Sequence, residues 1–303
     1  MAMSSAESGE PGLPPLGGLG TPPAPGVRFR ELDPRYAACG NHEIAHCIHL
    51  PSDWRLGGRF PLLVEFAGNR YEERGADGTV ESWSGTCAGA RMGYFLSGRP
   101  GSAASGSGAI WVTVPFIACD RAVPDDLTRH READRWYGDA TVSDDALGQR
   151  LAAEYLRRVV LAVCQHYGGD PARVVLCGFS RGAIAGGFVG RSDDATANLF
   201  RGFVLHAHHD ASGQSLSPAD PGGRRCARAV GRPSFLSAGE LDSGRASTEQ
   251  GAAALRAAGA EAEVHIVPGL GHSDAWVLDG RYHERACAEA RDRARRFLAR
   301  VFA

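Results

Sequence analysis

Apolar and polar positions divide the chain into short apolar runs and longer amphipathic ones. Residues 60–66, 109–115, 174–177, 202–206, 234–239 and 264–268 are apolar runs of strand length, bounded by turn residues. Residues 27–32 and 43–50 alternate instead, as strands with one buried face do. Between these runs lie helical patterns. Leu147, Leu151, Tyr155, Val159, Val163 and Tyr167 recur on one face of a helix that Ser143-Asp144-Asp145 opens and Gly168-Gly169 ends. A short helix is expected around residues 89–96, one of small residues after 182, one from about 247 to 259, and a last one over 281–301. Strands alternating with helices predict an α/β fold, with a mainly parallel central sheet covered by helices on both faces. The two alternating N-terminal segments are expected to pair antiparallel at its edge. Residues 1–26, rich in Pro, Gly and Ser, read as a disordered leader. Residues 27–303 read as a single domain, with long loops at about 71–108, 116–142 and 207–232.

Composition narrows the function classes. A formal net charge of −2 gives no electrostatic footprint for nucleic acid or an anionic membrane surface. All 33 Lys+Arg positions are arginine, which removes lysine-based Schiff-base and phosphate chemistry. No apolar run is long enough to span a bilayer, and the N-terminus lacks the basic and apolar regions of a secretory signal, so a cytoplasmic location is expected. The eight cysteines show no C-x-x-C pair and no zinc spacing. Free thiols are therefore expected, with Cys164 and Cys177 as small buried hydrophobes and a Cys39–Cys47 bridge left open. No metal and no cofactor are expected, and the partner is a small-molecule substrate.

The densest local signal is Gly178-Phe179-Ser180-Arg181-Gly182. It follows the apolar run 174–177 and leads into a helix of small residues, the setting of a G-x-S-x-G nucleophile elbow. The turn is so sharp that a Cβ two residues either side of the serine would strike the neighbouring strand or helix. Ser180 is then held strained at the end of the sheet, with its hydroxyl exposed above a helix N-terminus.

Active groups of such a sheet gather on loops at the carboxyl ends of the strands. Three loops carry complementary chemistry in the order Ser180, Asp242, His272. A serine hydroxyl needs a base near neutrality to take its proton, and a carboxylate on the other imidazole nitrogen fixes the tautomer. Glu240 competes with Asp242 for the acid, with Asp210 and Asp274 further off. Ten other histidines compete with His272, which is distinguished by its place after the last strand in a Gly-His-Ser turn. The backbone N–H of Arg181, with that of Asn69 or Gly68 after the 60–66 strand, would form an oxyanion hole. The Arg181 side chain reads as either a grip for a substrate carboxylate or a structural ion pair over the elbow. Arg70, Trp136, Tyr137, His208, His209, Asp210 and Trp276 are substrate-pocket candidates. His206 to Asp210 also resembles a metal cluster, but consecutive residues converge poorly on one ion.

The loop Ala67-Gly68-Asn69, the Gly178 to Gly182 elbow, Gly239-Glu240-Leu241-Asp242 and Gly271-His272 together resemble the α/β-hydrolase superfamily over about residues 40–303. The organisation is similar to esterases of the feruloyl-esterase and polyhydroxyalkanoate-depolymerase type. Trp136-Tyr137-Gly138-Asp139, Gly178 to Ile184 and His272 to Trp276 also resemble an uncharacterised bacterial hydrolase group. The resemblance implies a cofactor-free serine esterase that forms an acyl-enzyme on Ser180, with His272 and Asp242. An acylated sugar or a secondary metabolite is the expected kind of substrate. Acyl transfer, cyclisation or amide hydrolysis would use the same triad, and a non-catalytic binding protein would keep only the fold. Two departures stand out. Ala67-Gly68-Asn69 replaces the usual His-Gly oxyanion loop, and no helical cap insertion is evident after the sixth strand.

Overall fold

Apolar runs that are buried on both faces need a sheet with helices on both sides, and that is how this chain folds. The computed structural model describes residues 13–69, 71–74, 80–83, 85–97, 108–120, 122–133, 146–209, 223–273 and 284–303. Its strands are β1 (Leu16–Leu19), β2 (Arg28–Leu32), β3 (Ala45–His49), β4 (Phe60–Phe66), β5 (Tyr71–Arg74), β6 (Val80–Trp83) and β7 (Ile110–Val114). There follow β8 (Ile117–Ala118), β9 (Arg131–Glu132), β10 (Gly169–Phe179), β11 (Gly202–His206), β12 (Ser234–Gly239) and β13 (Ala262–Val267). The helices are α1 (Pro34–Ala38), α2 (Met92–Leu96), α3 (Ala146–Tyr167), α4 (Arg181–Phe188), α5 (Asp194–Ala197), α6 (Arg224–Ala227), α7 (Arg245–Ala257) and α8 (Glu284–Phe302).

Nine strands make one sheet in the order β1-β2-β3-β7-β4-β10-β11-β12-β13. From β7 to β13 every neighbouring pair is parallel, whereas β2–β3 and β3–β7 are antiparallel. The fold class and the antiparallel pairing of the two N-terminal segments thus match the expectation from sequence. All seven residues of β4 are buried, and their side chains divide between the two faces. Leu62, Val64 and Phe66 join a core with residues of α3, α4 and α7, while Leu63 joins one with residues of α2 and α8.

Several features differ from the expectation. Residues 16–19, within the stretch read as a disordered leader, form β1 and pair parallel with β2 outside the antiparallel edge. Leu16-Gly17-Gly18-Leu19 has no alternation to announce a strand, so its place depends on β2 offering a free edge. The stretch 71–108 contains the hairpin β5–β6 in addition to α2, which lies where a short helix is expected, and 116–142 contains the two-residue ladder β8–β9. Helices α1 and α5 span five and four residues, too short for a periodicity to register. Each begins at an aspartate whose side chain accepts a backbone N–H, Asp33 from Arg35 and Asp193 from Thr196. All eight cysteines are free thiols, and Cys47 has Cys87 as its sulfur neighbour, 3.7 Å away. Among the described residues no helix is long and apolar enough to cross a membrane.

Candidate active site

β10 ends at Phe179 and α4 begins at Arg181, which leaves one residue to reverse the chain. Ser180 does so with φ 56° and ψ −120°, one of two non-glycine residues at positive φ among the described residues. Such a conformation costs on the order of 1–3 kcal/mol and persists only where the surroundings enforce it. The enforcement is visible on both sides. Ser180 N–H donates to the carbonyl of His206 at the end of β11 (2.9 Å), and its own carbonyl accepts from Ala183 and Ile184 (2.9 and 3.2 Å). The flanking glycines are required by contact. A Cβ on Gly178 would lie 2.4 Å from the Gly182 carbonyl carbon, and one on Gly182 would lie 2.0 Å from the Phe66 oxygen.

His272 stands on the turn after β13 and brings the three loops together. Its Nε2 is 3.0 Å from Ser180 Oγ, and its Nδ1 is 3.0 Å from Asp242 Oδ1. An ionised carboxylate can only accept, so Nδ1 carries the proton toward Asp242. In the neutral ring, Nε2 then turns its lone pair to the serine hydroxyl. Asp242 is buried, and Oδ1 also accepts the Gly244 N–H at 2.6 Å. Burial raises its pKa, but the hydrogen bond and charge of His272, with the Gly244 N–H, outweigh it and leave the pKa below its ordinary value of 3.8. Its Oδ2 has no partner among the described residues, so the donors on Oδ1 supply that compensation.

The rival carboxylate, Glu240, accepts the Gly269 N–H at 2.9 Å. It therefore secures the loop that carries His272, where Asp242 touches the imidazole itself. Asp242→Asn is expected to lower kcat about 10⁴-fold, because the amide stabilises the wrong tautomer, whereas Glu240→Gln should retain turnover within roughly tenfold. The folded pKa of Asp242 lies below the unfolded one, so its stabilisation is complete above the ordinary carboxylate range and is lost as pH falls through the depressed pKa. Acid unfolding curves of the Asp242→Asn protein should accordingly be flatter than those of the wild type, and an unaltered acid limb would count against this pairing.

The oxyanion candidates lie beside Ser180. Arg181 is the first residue of α4, where backbone N–H groups have no acceptor within the helix. Gly68 passes close by, since a Cβ there would be 3.7 Å from the Ser180 Cβ. The Arg181 side chain is 1% exposed. Its guanidinium donates to the carbonyls of Gly68 (2.9 Å), Gly85 (2.6 Å), Ala67 (3.4 Å) and Ala133 (3.5 Å) and lies 4.0 Å over the Phe116 ring. Of the two readings open from sequence, burial favours the structural one over a grip on substrate. The guanidinium fastens the Ala67-Gly68 loop to the elbow.

His208 is brought to the site, with its ring centroid 5.4 Å from that of His272. Burial lowers its pKa to about 4. His209, also expected in the substrate pocket, has no exposed surface. It is fully buried against α7, where a Cβ on Gly251 would lie 2.3 Å from its ring, and its backbone exchanges hydrogen bonds with the Ser247 hydroxyl. His208 instead lies beside Gly244, where a Cβ would come within 3.0 Å of its ring. Arg70, Trp136, Tyr137, Asp210 and Trp276 lie outside the described residues. Among the described residues no group of three or more His, Cys, Asp or Glu is placed to hold a metal ion. Sequence reasoning gave no role to Phe179, whose ring lies 5.0 Å from that of His272, or to Gly244, whose N–H braces Asp242. An aromatic residue inside the elbow was a signal within reach. The Gly244 brace depends on a turn that residue types alone do not specify.

No protein-family model and no curated protein match the chain. Solved structures do. Carboxyl esterase 2 of Tuber melanosporum matches with a TM-score of 0.56 at 12% identity, over 95% of this chain and 91% of its own. Thermogutta terrifontis esterase 2, phosphorylated by paraoxon, gives 0.56 at 17% identity, over 86% and 90%. A thermostable esterase of Pseudomonas putida ECU1011 gives 0.53 at 18% identity, over 86% and 79%. At such identities the likeness is one of fold, and together with the sheet order and the elbow it shows that this chain has the α/β-hydrolase fold.

Proposed function

We propose that the protein is a serine hydrolase that cleaves carboxylic esters through an acyl-enzyme on Ser180. One observation carries the reading: a single imidazole lies 3.0 Å from both the Ser180 hydroxyl and the buried Asp242 carboxylate. The esterases that share the fold support it. A binding protein would have no use for a serine held at positive φ against a base.

In the reaction, Ser180 Oγ attacks the acyl carbonyl as its proton passes to His272 Nε2. The negative charge that develops on the carbonyl oxygen is met by the N–H of Arg181 and that of Gly68 or Asn69. The resulting tetrahedral species expels the alcohol, which takes the proton back from His272. Water then adds to the acyl-enzyme with His272 again as base, and release of the carboxylic acid restores the Ser180 hydroxyl. Asp242 holds the ring orientation throughout and stabilises the transient imidazolium. An acylated sugar or secondary metabolite remains the substrate class of this reading, with His208 buried beside the base.

Paraoxon tests the nucleophile directly, because phosphorylation of an activated serine releases one nitrophenolate per site. Wild-type protein is expected to gain one diethylphosphoryl group, located on the peptide containing Ser180 by mass spectrometry. Ser180→Ala should gain none. Equal labelling of the two proteins would overturn the assignment of Ser180.

A further inference from the structure

We propose that His206 is a positioning residue that joins the nucleophile, the base and the acid through the end of β11. The inference rests on the triad reading above. His206 is fully buried at the last position of β11, and its backbone carbonyl accepts the Ser180 N–H at 2.9 Å. Its ring Nε2 is 2.8 Å from the carbonyl oxygen of Ser273, and Nδ1 is 2.8 Å from Ser237 Oγ. Ser237 is its register partner on β12, so the last contact forms wherever the two strands pair correctly.

These partners determine the tautomer. A carbonyl only accepts, so Nε2 carries the proton and donates to Ser273, and Nδ1 accepts from the Ser237 hydroxyl. Burial pushes the His206 pKa down to about 3, which keeps the ring neutral and this arrangement single at any pH where a serine hydrolase works. Ser273 directly follows His272. Fixing its carbonyl therefore fixes the main chain from which the base projects.

The same strand end reaches the other two residues. Phe179 pairs with His206 across the sheet and stacks on its ring (5.8 Å between centroids, 25° between planes) while also meeting His272. Ala207, next in the chain, adopts φ 70° and donates to the Ser237 carbonyl at 2.8 Å. Its own carbonyl fits against Gly244 so closely that a Cβ there would lie 1.9 Å away. Gly244 is the residue whose N–H braces Asp242. His206 and Ala207 thus border all three members of the triad, and the positive φ of Ala207 is held where that contact needs it.

A buried histidine serving only the core would affect stability and leave each folded molecule fully active. The test compares His206→Phe, which removes the donor, with His206→Gln, whose side-chain amide can still donate to Ser273. Turnover of a p-nitrophenyl ester and the paraoxon phosphorylation rate are measured per folded molecule, with circular dichroism and thermal unfolding as the count of folded protein. His206→Phe should lose about 100-fold in kcat, the scale of a misplaced catalytic group, with KM unchanged within about threefold. His206→Gln should recover turnover to within roughly tenfold of wild type. If His206→Phe does not fold, Ser237→Ala carries the test, because it frees Nδ1 and should lower kcat several-fold at constant KM. Wild-type turnover in a folded variant lacking either contact overturns the positioning role. Wild-type protein that paraoxon does not phosphorylate overturns the hydrolase reading itself, a distinct outcome.

Discussion

Ser180→Ala and His272→Ala should each lower kcat/KM for a short acyl ester by about 10⁵- to 10⁶-fold, and the double variant should fall no further. The size follows from what each residue contributes alone. Without His272 the Ser180 hydroxyl has no base 3.0 Å away and stays protonated near neutrality. Without Ser180 the imidazole can act only on water, which is not held against the acyl carbon. Each single change therefore removes the whole nucleophilic step, and a second change finds nothing left to remove. The remaining rate, on the order of 10³-fold over water, would come from substrate binding and the N–H groups at Arg181 and Gly68 or Asn69. Steady-state kinetics on the two single variants and the double variant decide the matter. Independent contributions, with losses that multiply, would show that Ser180 and His272 do not act as one unit.

Where local chemistry dictates geometry, the site can be read from residue types. Gly178 and Gly182 are needed because backbone lies within 2.4 Å of any Cβ they could carry, so the elbow is written into the chain. His272 follows the last strand, and Asp242 follows β12, so strand order alone delivers both to one rim. Parallel strands β4, β11 and β12 are legible for the same reason, being apolar runs buried on two faces. What escapes a reading of residue types depends on contacts between distant segments. β1 is a strand because β2 is beside it. Arg181 is buried because four carbonyls from three other loops converge on its guanidinium. His206 stood out in sequence only as part of a histidine cluster, since its partners lie 31 and 67 residues further along the chain.

Gly182→Ala is expected to abolish accumulation of native protein, or to lower the unfolding midpoint so far that activity is lost at ordinary temperature. A methyl group at this position meets the Phe66 carbonyl oxygen at 2.0 Å, its carbon at 2.9 Å and the Ala67 oxygen at 3.2 Å. These atoms are main chain at and just past the end of β4, so no side-chain rotation relieves the clash. Overpacking against movable side chains already costs about 1–3 kcal/mol, and a rigid backbone places this substitution beyond about 4 kcal/mol. The chain could survive only by moving α4 away from β4 by on the order of 1 Å, and such a shift also has a catalytic consequence. It would carry the Arg181 N–H and Ser180 away from Gly68 and from His272 Nε2. Any folded remainder should thus phosphorylate with paraoxon about 100-fold more slowly than wild type. Urea unfolding monitored by circular dichroism, with the labelling rate of the folded fraction, measures both effects. A variant with wild-type midpoint and labelling rate would mean that α4 does not approach β4 this closely, and the strained conformation of Ser180 would lose its structural cause.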